Sequence, residues 1–232
     1  EHGFSVLETA VDMGHLEVAK TLLLEHGGVV DVNSTDHEGR TALHNVVIHE
    51  WDVDLVDLLL SAGADIDAGE TDSGLTALHY AAQLCGSDMA AVLLQRGAAR
   101  DPLSSRALTP LYYAVRDGNL TATCALLTAG ADPTLRDPYH MSPLDVTAYE
   151  GRVEVIRELA RQGADVDAAP ASGWTALHWA AKMNQAGSVT ALVEAGASID
   201  LETEVDTGST PLYRASATLA LDAARALLRH GA

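Results

Sequence analysis

Seven times along this chain a four-residue phrase returns. It reads SVLE from Ser5, TALH from Thr41, TALH from Thr76, TPLY from Thr109, SPLD from Ser142, TALH from Thr175 and TPLY from Thr210. The spacings are 36, 35, 33, 33, 33 and 35 residues. Each copy opens on a hydroxyl and carries a leucine two residues later: Leu7, Leu43, Leu78, Leu111, Leu144, Leu177, Leu212. A glycine follows at about the twenty-first residue after each hydroxyl: Gly27, Gly63, Gly97, Gly130, Gly163, Gly196, Gly231. A fixed period of this length over the whole chain restricts the fold to stacked, similar units.

Each recurring residue has a physical task. Ser or Thr is suited to N-cap a helix, its oxygen accepting a free backbone N–H, for about 1 kcal/mol. Pro110, Pro143 and Pro211 then fall at the first helical position, where a missing N–H costs nothing. Small residues such as Ala81, Ala82, Ala180 and Ala181 allow close helix approach. Gly14, Gly118 and Gly151 break the first helix, and a second begins with apolar spacing, as in Val155, Ile156 and Leu159. The late glycine ends that helix in the left-handed conformation. Asp/Gly-rich stretches such as Asp36–Gly39 and Asp206–Gly208 supply the turn before the next copy. One such unit cannot bury its own apolar face; stacked units share a core.

TALHYAA, TALHWAA, GHLEVAKTLLLEHGG and GRVEVIRELARQGADVDA resemble ankyrin repeats, and the resemblance covers essentially the whole chain. It implies a mainly α fold: a solenoid of stacked helix-turn-helix units with projecting β-hairpin loops, residues 1–232 forming a single domain of seven repeats. It also implies binding of other proteins through the finger tips and inner helices, and a backbone hydrogen bond to a neighbouring finger for His44, His79 and His178. His15 is expected to be structural on the same argument. Several positions depart from the pattern. The second copy has no mid-repeat Gly, with Trp51 following, and the seventh reads ATLALDAA at the break. Ala107 and His140 replace the usual finger glycine, so those two turns are expected to distort. No polar capping repeat is evident at either end, which reads as a piece of a longer protein.

The formal net charge of −19 argues against nucleic acid, whose phosphates need a basic stripe. No apolar run is long enough for membrane insertion. Cys85 and Cys124, the two cysteines, are spaced for neither a disulfide framework nor a metal, and read as buried or inert thiols in a reducing compartment, cytoplasmic or nuclear. His44 and His49 are five apart, not the four of a zinc-binding HExxH. No phosphate loop, dinucleotide fingerprint or nucleophile elbow occurs. Asp65, Asp67, Asp165 and Asp167 recur with the repeat, as structural turn residues do and catalytic pairs do not. Catalytic, cofactor and metal residues are therefore expected to be absent, and the chain is read as no enzyme.

The repeat phase sorts the remaining residues. Trp179, like Tyr80 and Tyr113, falls inside the first helix and is expected in the core; Trp174 precedes the cap and should point out from its finger. The outward set is Arg106, Leu108, Arg116, Tyr139, Met141, Tyr149, Trp174, Lys182 and Met183. Leu75 and Leu108 have a plainer reading, packing on the adjacent finger. Aromatics, Met and Arg are the types enriched at hot spots. Fingers DVNSTDHEG, DIDAGETDSG and DLETEVDTG are acidic, whereas Arg100, Arg106 and Arg136 lie in the middle ones. With helix pairs ~10 Å apart, the stack spans ~60 Å. The expected partner is another protein with an apolar or aromatic anchor and basic flanks, bound by a monomer. The alternative is a substrate-adaptor or regulatory segment of a larger protein (ubiquitin-ligase adaptor, channel, kinase or acyltransferase) whose activity lies elsewhere.

Overall fold

A computed structural model describes residues 5–26, 29–50, 52–203 and 208–232. The readings placed on Gly27, on Trp51 and on the EVDT part of the last finger lie outside the described residues. Helices come in pairs, an inner one of two turns and an outer one. In chain order they are α1 Val6–Asp12 and α2 Leu16–His26, α3 Ala42–Ile48 and α4 Val53–Ser61, α5 Ala77–Gln83 and α6 Met89–Gln95, α7 Pro110–Asp117 and α8 Leu120–Thr128. They continue with α9 Pro143–Glu150 and α10 Val153–Arg161, α11 Ala176–Lys182 and α12 Ala186–Glu194, α13 Pro211–Ala217 and α14 Leu221–Arg229. Inner helices pack on inner helices from α1 through to α13, and each lies on its own outer partner. A two-turn helix is not stable alone; these persist because their neighbours bury them. Among the described residues the fingers contain no strand, only single antiparallel bridges at Thr35–Thr41 and Gly69–Thr76.

The tetrad leucine faces the core in six of the seven units. Leu7, Leu43, Leu78, Leu111, Leu144 and Leu177 are buried, while Leu212 of the last pair is half-buried. At the two ends apolar side chains meet solvent: Val6 and Met13 on the first pair, Leu219 and Leu228 on the last.

The helix break does not need glycine. Gly14, Gly118 and Gly151 are left-handed, and Glu50, Asn184 and Leu219 adopt the same conformation at φ 52°, 58° and 58°. A shared bond holds the turn: the N–H after the break reaches back five residues, Asn119 to Ala114 at 2.8 Å, Gln185 to Ala180 at 2.9 Å, Ala220 to Ala215 at 2.8 Å. The seventh copy therefore does break, at Leu219. The expected distortion at Ala107 and His140 is likewise absent. Both residues are left-handed (φ 55° and 64°), and the finger closes normally, Ser104 N–H to Leu108 O at 3.0 Å and Asp137 N–H to Met141 O at 2.9 Å. The Asp137 carboxylate braces its turn by accepting the N–H groups of Tyr139 (2.9 Å) and Met141 (2.8 Å). That bracing offsets the ~1–2 kcal/mol that a left-handed non-glycine costs.

Candidate functional site

The histidines and loop acids are consumed by the stack. In each TALH copy the imidazole Nδ1 accepts the N–H of its own threonine, at 3.1 Å for His44, 3.0 Å for His79 and 3.2 Å for His178. The threonine hydroxyl, expected to accept a helix N–H, here sits 2.9–3.0 Å from the same nitrogen as donor. The ring proton is thereby placed on Nε2, which donates to the next finger: Leu75 O (3.0 Å), Leu108 O (3.1 Å) and Ser209 O (3.1 Å). Burial holds all three imidazoles below the usual histidine range, His79 at about 4. His15 differs: its side chain is exposed. The GAD-x-D acids turn the loops, Asp65 accepting Asp67 N–H and Asp165 accepting Asp167 N–H, while Asp67 and Asp167 accept from Ala99 and Ser198 of the following repeat.

The arginines Arg100 and Arg136 of the expected cationic centre are held by hydrogen bonds within the protein, Arg100 while remaining exposed. Arg100 donates to the Ala129 carbonyl at the end of α8, and Arg136 is held by His140 O (2.7 Å) and Asp145 (3.2 Å). Arg116 chelates Asp117 through two bonds of 2.8 and 2.9 Å and lies 5.0 Å above the Tyr113 ring. Arg106 is exposed. Cys85 is exposed rather than buried; Cys124 is half-buried, and burial raises its thiol pKa.

The outward aromatic residues divide into two groups. Tyr139 stands alone at the fifth finger tip, 83% exposed. Leu108 and Met141 are half-buried against the core. Leu108 also lines a slot of about 160 Å³ between the fourth and fifth fingers, with Leu103, Tyr112 and Leu135. Leu103 and Leu135 were missed by sequence reasoning, because their finger positions carry no periodic pattern.

The second group gathers at the fifth to seventh repeats. Trp174 and Trp179 lie with ring centroids 4.6 Å apart, and Tyr149 adds an edge contact to Trp179 at 6.0 Å. Trp179, expected in the core, is half-buried and completes this cluster instead. Lys182 Nζ sits 5.3 Å from both indole centroids and Arg214 Cζ 4.4 Å from that of Trp174. Cation–π contacts of this kind are worth about 0.5–2 kcal/mol as water is excluded. Met183 caps α11 beside them, half-buried. Arg214 was missed as well. It occupies the helix position that holds Tyr or Trp in three other copies, a position assigned to core.

Among the described residues, no group of three or more His, Cys, Asp or Glu is arranged to hold a metal. None of the described helices is long and apolar enough to cross a membrane.

Comparison with known proteins accounts for the periodicity. A family model described as ankyrin repeats (three copies) matches overlapping stretches at residues 7–104, 52–137, 111–203 and 144–232. The human SH3 and multiple ankyrin repeat domains protein 2 is 33% identical over 184 residues, 78% of this chain and 10% of its own length. The nuclear factor NF-kappa-B p105 subunit of Mus musculus is 33% identical over 144 residues, 62% of this chain and 15% of its own. The chain thus spans a small fraction of these relatives. The crystal structure of the human ASB11 ankyrin repeat domain superposes with a TM-score of 0.82 at 26% identity, covering 99% of each chain.

Proposed function

Since the chain belongs to the ankyrin repeat family, whose domains mediate protein–protein interaction, we propose that residues 1–232 act as one seven-repeat, monomeric, non-catalytic scaffold that captures another protein on its concave face and finger tips. The observation that carries this reading is the Tyr149–Trp174–Trp179 cluster, three large rings held half-exposed on a rigid stack. Rings whose rotamers are already fixed by packing lose little entropy on docking. Tyr139 at the neighbouring finger tip supplies a second anchor. Affinity capture from a cell extract compares the wild type with a Trp174→Ala, Tyr139→Ala double variant. The expected result is loss of the captured protein by about tenfold or more, each 1.4 kcal/mol being a factor of ten, with unchanged circular dichroism. Equal capture by the double variant refutes the site.

A second reading is favoured by the relatives' length: matches that occupy only 10–15% of much larger proteins fit a substrate-adaptor or regulatory segment. The binding physics is the same and the activity lies outside these residues, in cytoplasm or nucleus. The full-length open reading frame tests it, through the presence or absence of a further domain.

A further inference from the structure

The fourth repeat meets the next finger without the bridge that the TALH copies use. His44, His79 and His178 each donate to a carbonyl of the following finger. In the fourth copy Tyr112 stands in the histidine position, its ring edge-on to Tyr113 at 5.9 Å, and its hydroxyl makes no hydrogen bond within the described residues. At this joint the slot of about 160 Å³ opens between the fourth and fifth fingers. Leu103 and Leu135 line it while staying 60% and 40% exposed. A cavity of about 150 Å³ holds a benzene ring, so the slot has room for one aliphatic or aromatic side chain. Its charges are nearly all spent inside the fingers. Asp137 is buried in its own turn and Arg136 is held by His140 O and Asp145. The exposed residues among 103–107 and 134–140 include one fixed charge, Arg106, next to slot-lining Ala107. Arg106 forms no ion pair with any described residue, Asp72 on the neighbouring third finger included.

We propose that the slot between the fourth and fifth fingers is a side-chain pocket for an extended segment of a protein partner: it takes one bulky apolar residue, Leu, Met or Phe, with an Asp or Glu beside it set against Arg106. The inference rests on the finger-tip reading of the interaction face and deepens it. The apolar side chain covers Leu103 and Leu135, removing their surface from water. The Tyr112 hydroxyl, kept a neutral phenol by burial, is available to a polar group of the segment. Tyr139, two residues from slot-lining Asp137, stands at the same finger tip as a further contact. The guanidinium at the rim fixes the sign of the neighbouring side chain and so the register of the segment.

The test is selection of a random dodecapeptide phage library on the full chain, after depletion on a Leu103→Ser, Leu135→Ser variant whose fold circular dichroism confirms. Fluorescence polarisation with a synthetic consensus peptide follows. The expected consensus has Leu, Met or Phe beside Asp or Glu. Replacing its apolar residue by Ser should weaken binding by about tenfold or more. Replacing its acid by Lys should weaken it by about fivefold, the scale of an exposed ion pair turned into a repulsion. Arg106→Glu, at an exposed position that the fold does not use, should reproduce that second loss and restore binding of the Lys peptide. No enrichment after depletion, a consensus without the apolar residue or with Lys or Arg beside it, or an Arg106→Glu variant that fails to restore the Lys peptide overturns the proposal. So does self-association of the chain that Leu103→Ser, Leu135→Ser abolishes, because the occupant is then a second copy. If Trp174→Ala, Tyr139→Ala loses the protein captured from extract while Leu103→Ser, Leu135→Ser keeps it, the slot fails and the interaction face stands. Normal capture by both variants removes both readings.

Discussion

The third and fifth repeats share an inner–outer helix pair and differ in the chemistry that holds it. In the third, Gly74 turns the finger and His79 spans from Thr76 to the Leu108 carbonyl of the next finger. In the fifth, His140 turns the finger and Asp145 stands in the histidine position. Its Oδ2 accepts from Ser142 N–H (2.8 Å), Ser142 Oγ (2.7 Å) and Arg136 Nη1 (3.2 Å), and it makes no bond to the sixth repeat. The fifth repeat is clamped to itself, the third to its neighbour. The junction after the fifth is carried by other contacts, Gln185 Nε2 to Tyr149 O at 3.3 Å and the Tyr149–Trp179 ring pair. The aromatic cluster thus sits where the histidine bridge is missing, so that joint is made of the same rings proposed to bind.

The largest expected effect is His79→Ala. It leaves the buried Thr76 N–H unpaired, takes from the Leu108 carbonyl one of its two donors (the Ser104 N–H remains) and opens a cavity at a fully buried site. A loss of about 3 kcal/mol is expected, from the ~1–3 kcal/mol of the orphaned N–H together with the lost bond and the cavity. Asp145→Ala orphans the Ser142 N–H but also removes a carboxylate from a buried site, so about 1 kcal/mol is expected. Hydrogen exchange resolved by repeat separates the two, because in a solenoid the loss is felt at the damaged unit and its neighbours. A greater loss at Asp145 than at His79 would break the contrast.

Acid should act on the two repeats in opposite directions. Burial puts the His79 pKa at about 4, below the ~6.5 of an unfolded histidine. Between those values the unfolded chain binds the proton and the folded one does not, so stability falls as pH drops from about 6.5 to about 4. Burial raises Asp145 to about 6, against the lowering pull of Ser142 and Arg136. Between about 6 and ~3.9 the folded chain binds the extra proton, so this carboxyl adds stability as pH falls through that window. Urea midpoints of Asp145→Asn should therefore fall more steeply with acid than those of the wild type, and His79→Gln should flatten the fall. Parallel pH curves for wild type and both variants would remove the opposition.

Much of this architecture was legible before any coordinates. The tetrad phase placed Leu43, Leu111 and Leu177 in the core, because helix spacing is local and repeats, and the ankyrin resemblance supplied the bridging role of His44, His79 and His178. What was misjudged depends on neighbours. Trp179 meets the ring of Tyr149, one repeat away, which the spacing within its own helix does not show. Arg100 and Arg136 are engaged by carbonyls 29 and 4 residues distant. Leu219 could break its helix because the backbone bond from Ala220 to Ala215, which any residue can make, holds the turn. The site was legible in its ring content and not in Arg214, which stands over Trp174 from a helix position assigned to the core.

The smallest effect tests the finger turns, at the left-handed position held by Gly74 in one repeat and His140 in the other. Gly74 has φ 63°, and a Cβ there would come to 3.0 Å from the Ser105 backbone nitrogen. Gly74→Ala should cost ~1–2 kcal/mol, the left-handed penalty plus that close approach. His140→Gly should move stability the other way by a few tenths of a kcal/mol, since relief of left-handed strain slightly exceeds the ~0.4–1 kcal/mol of added unfolded-state freedom. The gain is small because Asp137 and the Arg136–His140 carbonyl bond already hold the turn, and both survive the substitution. Thermal midpoints of the two variants should move in opposite directions. A loss at His140→Gly as large as that at Gly74→Ala would mean that the imidazole itself, not the backbone bracing, secures the fifth finger.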